Sequence, residues 1–219
     1  MQRNASEAIN SYVTDMLALE QHINKAVSGQ IEDLDEDYPE VVRHLRTVAS
    51  ETERHIDSLK MLVERRAEGG QALADVVKRT GSAILGAGAA AIDFVRNEKL
   101  PKNLRDDYTA TSLAAIGYVM LYTTATSLGD REVADLGQRH LRDHARNVML
   151  LHNVIPGAVI TFLQNDELPA RSDALPEISR NLESVWSDQA RNVPESLELG
   201  TGLGAQRADR PISDVRERL

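Results

Sequence analysis

The sequence predicts an all-α protein, organised as a four-helix bundle with a C-terminal extension. Apolar residues recur every three or four positions along four long segments, which is the spacing of one buried helix face. Alternation of apolar and polar residues, which marks a half-buried strand, is rare. The connections within the first and within the second pair of helices are short, whereas a long crossover joins the second helix to the third.

The first two helices are predicted over residues 5–30 and 39–66. Pro39 falls in the first turn of the second helix, where its missing N–H would have no helical partner in any case. Gly69 and Gly70 follow that helix and favour its end. The two apolar stripes consist of Ile9, Tyr12, Val13, Met16, Ile23 and Val27, and of Val41, Leu45, Val48, Thr52, Leu59 and Leu62.

A crossover is predicted over residues 71–98, where each embedded glycine weakens a helix by roughly 1 kcal/mol relative to alanine. Residues 100–103 are predicted to form a turn in which Asn103 caps a third helix over 104–128. That helix carries no charged side chain after residue 107. Its apolar run is about half as long as a membrane span, so we expect a helix buried at the centre of the bundle and no membrane contact.

The fourth helix is predicted over residues 131–155, with Asp130 as its N-cap. Pro156 and Gly157 are expected to kink or end it before a short extension over 158–163.

The chain therefore divides into a bundle over residues 1–165 and a C-terminal part over 166–219. The C-terminal part contains one amphipathic helix, 175–190, and a polar tail from residue 192 that has too little apolar surface to fold alone. Four long helices with one long crossover between the second and the third have the ferritin-like topology. The third helix is apolar over more of its circumference than one bundle covers, so we expect a homo-oligomer, in the simplest case a dimer.

Composition narrows the function classes. The chain has 219 residues and a net charge of −9, which counts against a nucleic-acid partner. Cysteine is absent, so thiol catalysis and thiolate metal sites are excluded. Any metal must use His, Asp, Glu or water, ligands that suit iron, manganese or zinc. The first residues carry no secretory apolar region, so we expect a cytoplasmic protein.

Polar side chains that interrupt the apolar stripes are the candidate metal ligands. A buried carboxylate costs several kcal/mol unless it is paired, neutralised or metal-bound, so its presence on a buried face calls for a partner. Carboxylates and imidazoles converging from several helices are what a carboxylate-bridged dimetal site needs. The candidates are Glu20 on the first helix, Glu51 and His55 on the second, and His140, Asp143 and His144 on the fourth.

The pattern departs from a full dimetal template, which places a Glu-x-x-His pair on each of two helices. Glu51 and His55 are four residues apart instead of three. The third helix offers no carboxylate beyond its first turn, only Tyr118 and Tyr122. We therefore expect an incomplete dimetal site or none. Each candidate also has a structural alternative. The histidines and Glu20 can be buried residues whose hydrogen bonds are satisfied, and Glu51 can be a solvated residue at the edge of its stripe. Asp143 can be a surface partner of Arg139 or Arg146.

Two segments resemble the YciE/YciF-like proteins of the ferritin-like superfamily. LEQHINKAV at residues 19–27 is similar to a first-helix segment of that family, and ETERHI at 51–56 to its Glu-Thr-x-x-His-Val stretch. The resemblance covers roughly residues 8–155. It implies a metal-binding ferritin-like bundle linked to bacterial stress responses, with Glu20, Glu51 and His55 as ligands. Acidic residues of the family's third helix are replaced here by Gly117 and Met120.

Three function hypotheses follow. The first is a ferritin-like protein that binds iron or manganese, with any enzymatic activity left open. The second is a metal-free structural or interaction protein on the same scaffold, whose C-terminal tail binds a partner or a shell protein. The segment 197–204, rich in Leu and Gly, is the sequence feature that motivates a shell. The third is a bundle that holds an organic ligand between its helices.

Overall fold

The computed structural model describes residues 4–34, 38–67 and 99–192, and this part of the chain is helical without a strand. The all-α, ferritin-like prediction is confirmed. The bundle consists of four long helices: α1 (Ala5–Asp33), α2 (Pro39–Ala67), α3 (Lys99–Ser127) and α4 (Arg131–Asn165). A 3-10 turn, Ser172–Ala174, precedes α5 (Leu175–Asn192).

The first two helices begin where the sequence predicts. Asn4 caps α1: its side chain accepts the Glu7 N–H at 2.7 Å, and the Glu7 carboxylate accepts the Asn4 N–H at 3.1 Å. This reciprocal capping box satisfies two of the N–H groups that a helix start leaves unpaired. The second helix begins at Pro39, in agreement with the prediction.

The start of α3 differs from the prediction. The expected turn over residues 100–103 is wrong, because the helix begins at Lys99 and Asn103 is not its cap. Pro101 lies within the first turn, where N–H groups have no acceptor inside the helix, so proline is tolerated there. Leu100 and Leu104 are both buried, so their packing stabilises a helical turn at this end of α3. The local sequence Pro-Lys-Asn favours a non-helical turn and does not predict it.

The fourth helix continues through Pro156 to Asn165 and does not end at the proline. The predicted short extension is therefore part of the same helix. Val154 and Ala158 are buried on either side of Pro156, so packing holds both flanks although proline removes one backbone hydrogen bond. The N-cap prediction agrees with the structure, since Asp130 accepts the Val133 N–H at 3.2 Å.

The four long helices form a closed ring in which α1 packs against α2 and α3, and α4 packs against α3 and α2. Apolar side chains from all four helices fill the interior, Leu45, Leu59, Leu104 and Leu151 among them. The site described below lies inside this ring. Each of the four long helices contributes side chains to the site, as is usual for sites built in the core of a helical bundle.

The third helix packs into the bundle, but it is buried on one side only, and its apolar surface extends beyond what the bundle covers. One face of α3 packs into the bundle, but its outer face carries exposed apolar side chains. The most exposed are Leu113 and Ile116, each at 59%. Val119 and Met120 extend the same surface, which we call the α3 outer face.

Among the described residues, α4 has the length and apolar composition that would let a helix cross a membrane. Length and composition are the only basis for this, and a core helix can pass the same test. The face of α4 that packs into the bundle carries His140, His144 and Asn147.

The chain divides into two compact units, the first of which ends at Leu175. The second unit contains nearly all of α5, an amphipathic helix that exposes Val185 and Trp186. The predicted crossover at 71–98 and almost all of the predicted polar tail, including the 197–204 segment, lie outside the described residues.

Candidate metal centre

Glu20 lies at the middle of the bundle with no exposed surface. Its Oε1 atom meets three polar groups, one from each of the other long helices. The Tyr118 hydroxyl donates to it at 2.7 Å, His55 Nδ1 lies 3.0 Å away, and His144 Nε2 lies 2.7 Å away. The three ring or hydroxyl groups are themselves buried. Side chains from α2, α3 and α4 thus meet at one carboxylate oxygen of a residue on α1.

The charge on Glu20 is stabilised by this environment. Burial alone would raise the pKa of Glu20, but hydrogen bonds from His144 and His55 outweigh that effect and lower it to about 2. The carboxylate is therefore ionised at neutral pH. Its other oxygen, Oε2, is buried and has no partner among the described residues. An unpaired buried acceptor of this kind is costly unless something occupies it.

His55 is placed between two carboxylates. Its Nδ1 faces Glu20, and its Nε2 lies 3.2 Å from Asp143 Oδ2. Burial lowers the pKa of His55, but both carboxylates raise it and together prevail. Two acceptors require two N–H donors, so the geometry describes an imidazolium. The Asp143 contact also fixes the ring so that Nδ1 points at Glu20, an arrangement that holds a metal-binding histidine in many metalloproteins.

A second chain of hydrogen bonds leads away from Glu20 through Tyr118. His140 Nδ1 lies 2.9 Å from the Tyr118 hydroxyl, and His140 Nε2 lies 3.0 Å from Ser58 Oγ. Burial, together with the charge on nearby His55, lowers the pKa of His140 to about 3, so this ring is neutral. Because Tyr118 donates its proton to Glu20, the neutral His140 ring donates its Nδ1–H to Tyr118. The Ser58 hydroxyl donates to the His55 carbonyl oxygen at 2.9 Å and lies beside His140 Nε2.

The residues that could hold a metal ion are Glu20, His55 and His144, since each offers a ligand atom within 4.8 Å of the others. The donor atoms of a metal with bonds of about 2.1 Å lie about 3.0 Å apart when the bonds are at right angles. The separations of His55 Nδ1 and His144 Nε2 from Glu20 Oε1 are close to that value. Glu20 Oε2, which has no partner within the described residues, offers a further donor atom. The residues present therefore fit one ion.

Glu51 lies apart from this group of three. It is 6% exposed, and both of its oxygens have partners from α4. Arg146 Nη2 donates to Oε1, and Asn147 Nδ2 donates to Oε2 at 2.9 Å. Arg146 Nη2 also lies 3.1 Å from Asp143 Oδ1, so one guanidinium nitrogen joins two carboxylates.

The structure thus distributes the six predicted site residues over two clusters. Glu20, His55 and His144 form the group that could bind a metal. His140 reaches that group through Tyr118, and Asp143 reaches it through His55. Glu51 belongs to a neighbouring cluster with Arg146.

Four partners of these residues were not among the predicted ligands. Tyr118 is the residue of α3 that faces the centre, whereas Gly117 lies against Met16 and Met120 is exposed. The other three are Ser58, Arg146 and Asn147. Spacing was the available signal: Ser58 follows His55 by three residues and Arg146 follows Asp143 by three, so each pair shares a helix face.

Comparisons with known proteins agree with this architecture. The family model described as "Domain of unknown function (DUF892)" matches residues 5–164. A crystal structure of a protein from Xanthomonas campestris pv. campestris is similar to this chain, with a TM-score of 0.58 and 18% sequence identity. The similarity covers 75% of this chain and 99% of that one, and at this identity it shows the fold alone. No curated protein matches the chain.

Proposed function

The chain belongs to the ferritin-like DUF892 family, and from that premise we propose that it is a metal-binding bundle protein. It holds one iron or manganese ion at Glu20, His55 and His144, in what remains of an incomplete dimetal site. The observation that carries the proposal is the fully buried Glu20 carboxylate, which faces two imidazoles and has one oxygen that no residue in the described part of the chain contacts by a hydrogen bond.

The formal charges around the site support one divalent ion. Glu20, Glu51 and Asp143 supply three negative charges, and Arg146 supplies one positive charge. An ion with two positive charges completes the balance once His55 has lost its proton. Without metal, Arg146 and protonated His55 together supply two positive charges against the three carboxylates, so one negative charge stays unbalanced. Arg54 also approaches Glu51, at 3.5 Å, but it is 67% exposed and therefore screened by water.

The donor set supports iron or manganese as the ion. One carboxylate and two imidazoles, in a chain without cysteine, favour first-row metals that accept oxygen and nitrogen ligands. Such an ion, when bound, supplies Lewis-acid and one-electron chemistry. The chain's own residues orient the site: Asp143 holds the His55 ring, and His140 holds the Tyr118 hydroxyl against Glu20.

We further propose that the chain belongs to the YciE/YciF-like branch and acts in a stress response. Support comes from the segments 19–27 and 51–56, which contain Glu20 and His55. Induction of the protein by oxidative or osmotic challenge of its host, measured by quantitative proteomics, tests this part. Constant abundance under every challenge would contradict it.

A second candidate is a metal-free structural protein. It is favoured by the ion pairs already present in the polar network, in which His55 bridges two carboxylates and Arg146 neutralises Glu51. Buried polar networks of this kind also serve to specify a single packing arrangement. In this candidate, Glu20 is a structural anchor for the side chains of four helices.

Metal content decides between the two candidates. Protein purified without chelator, then loaded with Mn²⁺ or anaerobic Fe²⁺ and desalted, is expected to retain about one ion per chain by elemental analysis. Glu20→Ala and His144→Ala should each abolish retention. His22→Ala is the matched control, because His22 lies on α1 outside the group of three. Absence of metal in the wild type after loading would favour the structural candidate.

A further inference from the structure

We infer that Arg146 is the residue that limits this site to one ion, because its guanidinium occupies the place of a second cation between Glu51 and Asp143. The inference rests on the proposed metal-binding function and goes beyond it, since it assigns the stoichiometry to one side chain.

The geometry of Arg146 is that of a bridging cation. Its Nη2 atom is within hydrogen-bond distance of a carboxylate on α2 and of a carboxylate on α4. Glu51, the α2 carboxylate, is buried, so its charge needs a partner inside the protein. Asp143 is the α4 carboxylate, and its side chain is 26% exposed.

Each of the two carboxylates uses one oxygen to anchor itself and directs the other at the guanidinium. Asn147 holds Oε2 of Glu51, while Oε1 meets Arg146. His55 holds Oδ2 of Asp143, while Oδ1 meets Arg146. The two free oxygens would converge on one point if the guanidinium were absent, and paired carboxylate oxygens are ligands that manganese and iron accept.

The charge balance explains why a second ion and Arg146 exclude each other. Three carboxylates neutralise one divalent ion plus one guanidinium. A second divalent ion beside Arg146, whose side chain is 49% exposed, would leave two positive charges in excess next to the buried carboxylates of Glu20 and Glu51, where unbalanced charge is expensive. Removal of the arginine charge reduces that excess to one and frees two carboxylate oxygens.

The test is the number of Mn²⁺ ions retained by the full chain after loading and desalting. Arg146→Ala is expected to retain about one ion more than the wild type, that is two instead of one. Addition of Glu51→Gln to that variant should remove the extra ion. Arg54→Ala is the matched control, because Arg54 approaches the same Glu51 oxygen from within α2. It should leave the stoichiometry unchanged.

Electron paramagnetic resonance separates a real second site from surface binding. Two ions in neighbouring clusters should give a spin-coupled signal in Arg146→Ala, whereas an adventitious surface ion gives only the signal of isolated Mn²⁺. Arg146→Gln, which keeps a hydrogen-bond donor near Glu51 without the charge, should behave in the same way. It provides a second variant if Arg146→Ala folds poorly.

The outcomes distinguish the inference from the function on which it rests. One ion in both the wild type and the Arg146 variants overturns the inference and leaves the metal-binding function standing. Two ions in the wild type overturn the inference as well. No ion in the wild type overturns the proposed function and the inference together, which distinguishes that outcome from the failure of the inference alone.

Discussion

Asp107 should make the protein less stable as the pH rises from about 4 to about 7. Asp107 lies on α3, is 4% exposed, and accepts one hydrogen bond from Gln30 at 2.8 Å. Its second oxygen has no partner among the described residues. Burial raises the pKa of Asp107 from 3.8 to about 7 in spite of the Gln30 hydrogen bond, and the nearby Asp106 charge adds to the rise.

The sign and size of the effect follow from proton linkage. Between the two pKa values the folded protein keeps the proton and the unfolded chain has lost it, so the free energy of unfolding falls with rising pH. A difference of about three pKa units corresponds to roughly 4 kcal/mol. The contribution is complete below pH 4 and lost above pH 7. Asp107→Asn removes this dependence, because an amide does not titrate in this range.

Urea unfolding of metal-free wild type and Asp107→Asn at pH 4 and pH 8 measures the effect. The variant should gain roughly 4 kcal/mol relative to wild type between the two pH values, since its amide oxygen can keep the Gln30 hydrogen bond. Asp135→Asn, the same change at an exposed position of α4, should show no such gain. Equal pH profiles for wild type and Asp107→Asn would refute the reasoning.

Three further predictions follow from the site and from the α3 outer face. Metal binding should release about one proton, because His55 must give up its imidazolium proton. Calorimetry of metal binding in buffers of different ionisation enthalpy measures the number of protons released, and a value of zero would contradict the prediction. Tyr118→Phe should destabilise the metal-free protein by about 1–3 kcal/mol in urea unfolding, since Glu20 loses a donor and His140 an acceptor, yet it should still bind metal. We propose that a second copy of the chain covers the α3 outer face. Light scattering should then show a dimer for the wild type and a monomer for the double variant Leu113→Asp with Ile116→Asp. A dimeric double variant would contradict the proposal.

The helices themselves were predictable because each has a long apolar stripe, and stripe spacing is a local property of the chain. The observed helix boundaries differ from the predicted ones where a local sequence signal competes with packing. Pro101 and Asn103 resemble a turn, yet α3 begins at Lys99 because buried leucines hold its first turn. Pro156 resembles a helix end, yet buried neighbours carry α4 past it.

The candidate site was predictable to the extent that polar side chains interrupt an apolar stripe. Glu20, His55 and His144 stand out in this way, since a buried polar group needs a partner. Their partners were harder to find, because contacts between helices depend on the rotation and height of each helix in the bundle. The stripe of α3 does not say that Tyr118 will reach Glu20, nor does that of α4 say that Arg146 will reach Glu51.

Anomalous X-ray diffraction from crystals grown with Mn²⁺ tests the metal site most directly. The account predicts a single strong peak per chain, at bonding distance of about 2.0–2.2 Å from Glu20, His55 and His144. It also predicts that Arg146 stays in contact with Glu51 beside that peak. A peak elsewhere in the bundle, or none among these three residues at saturating Mn²⁺, would contradict the account.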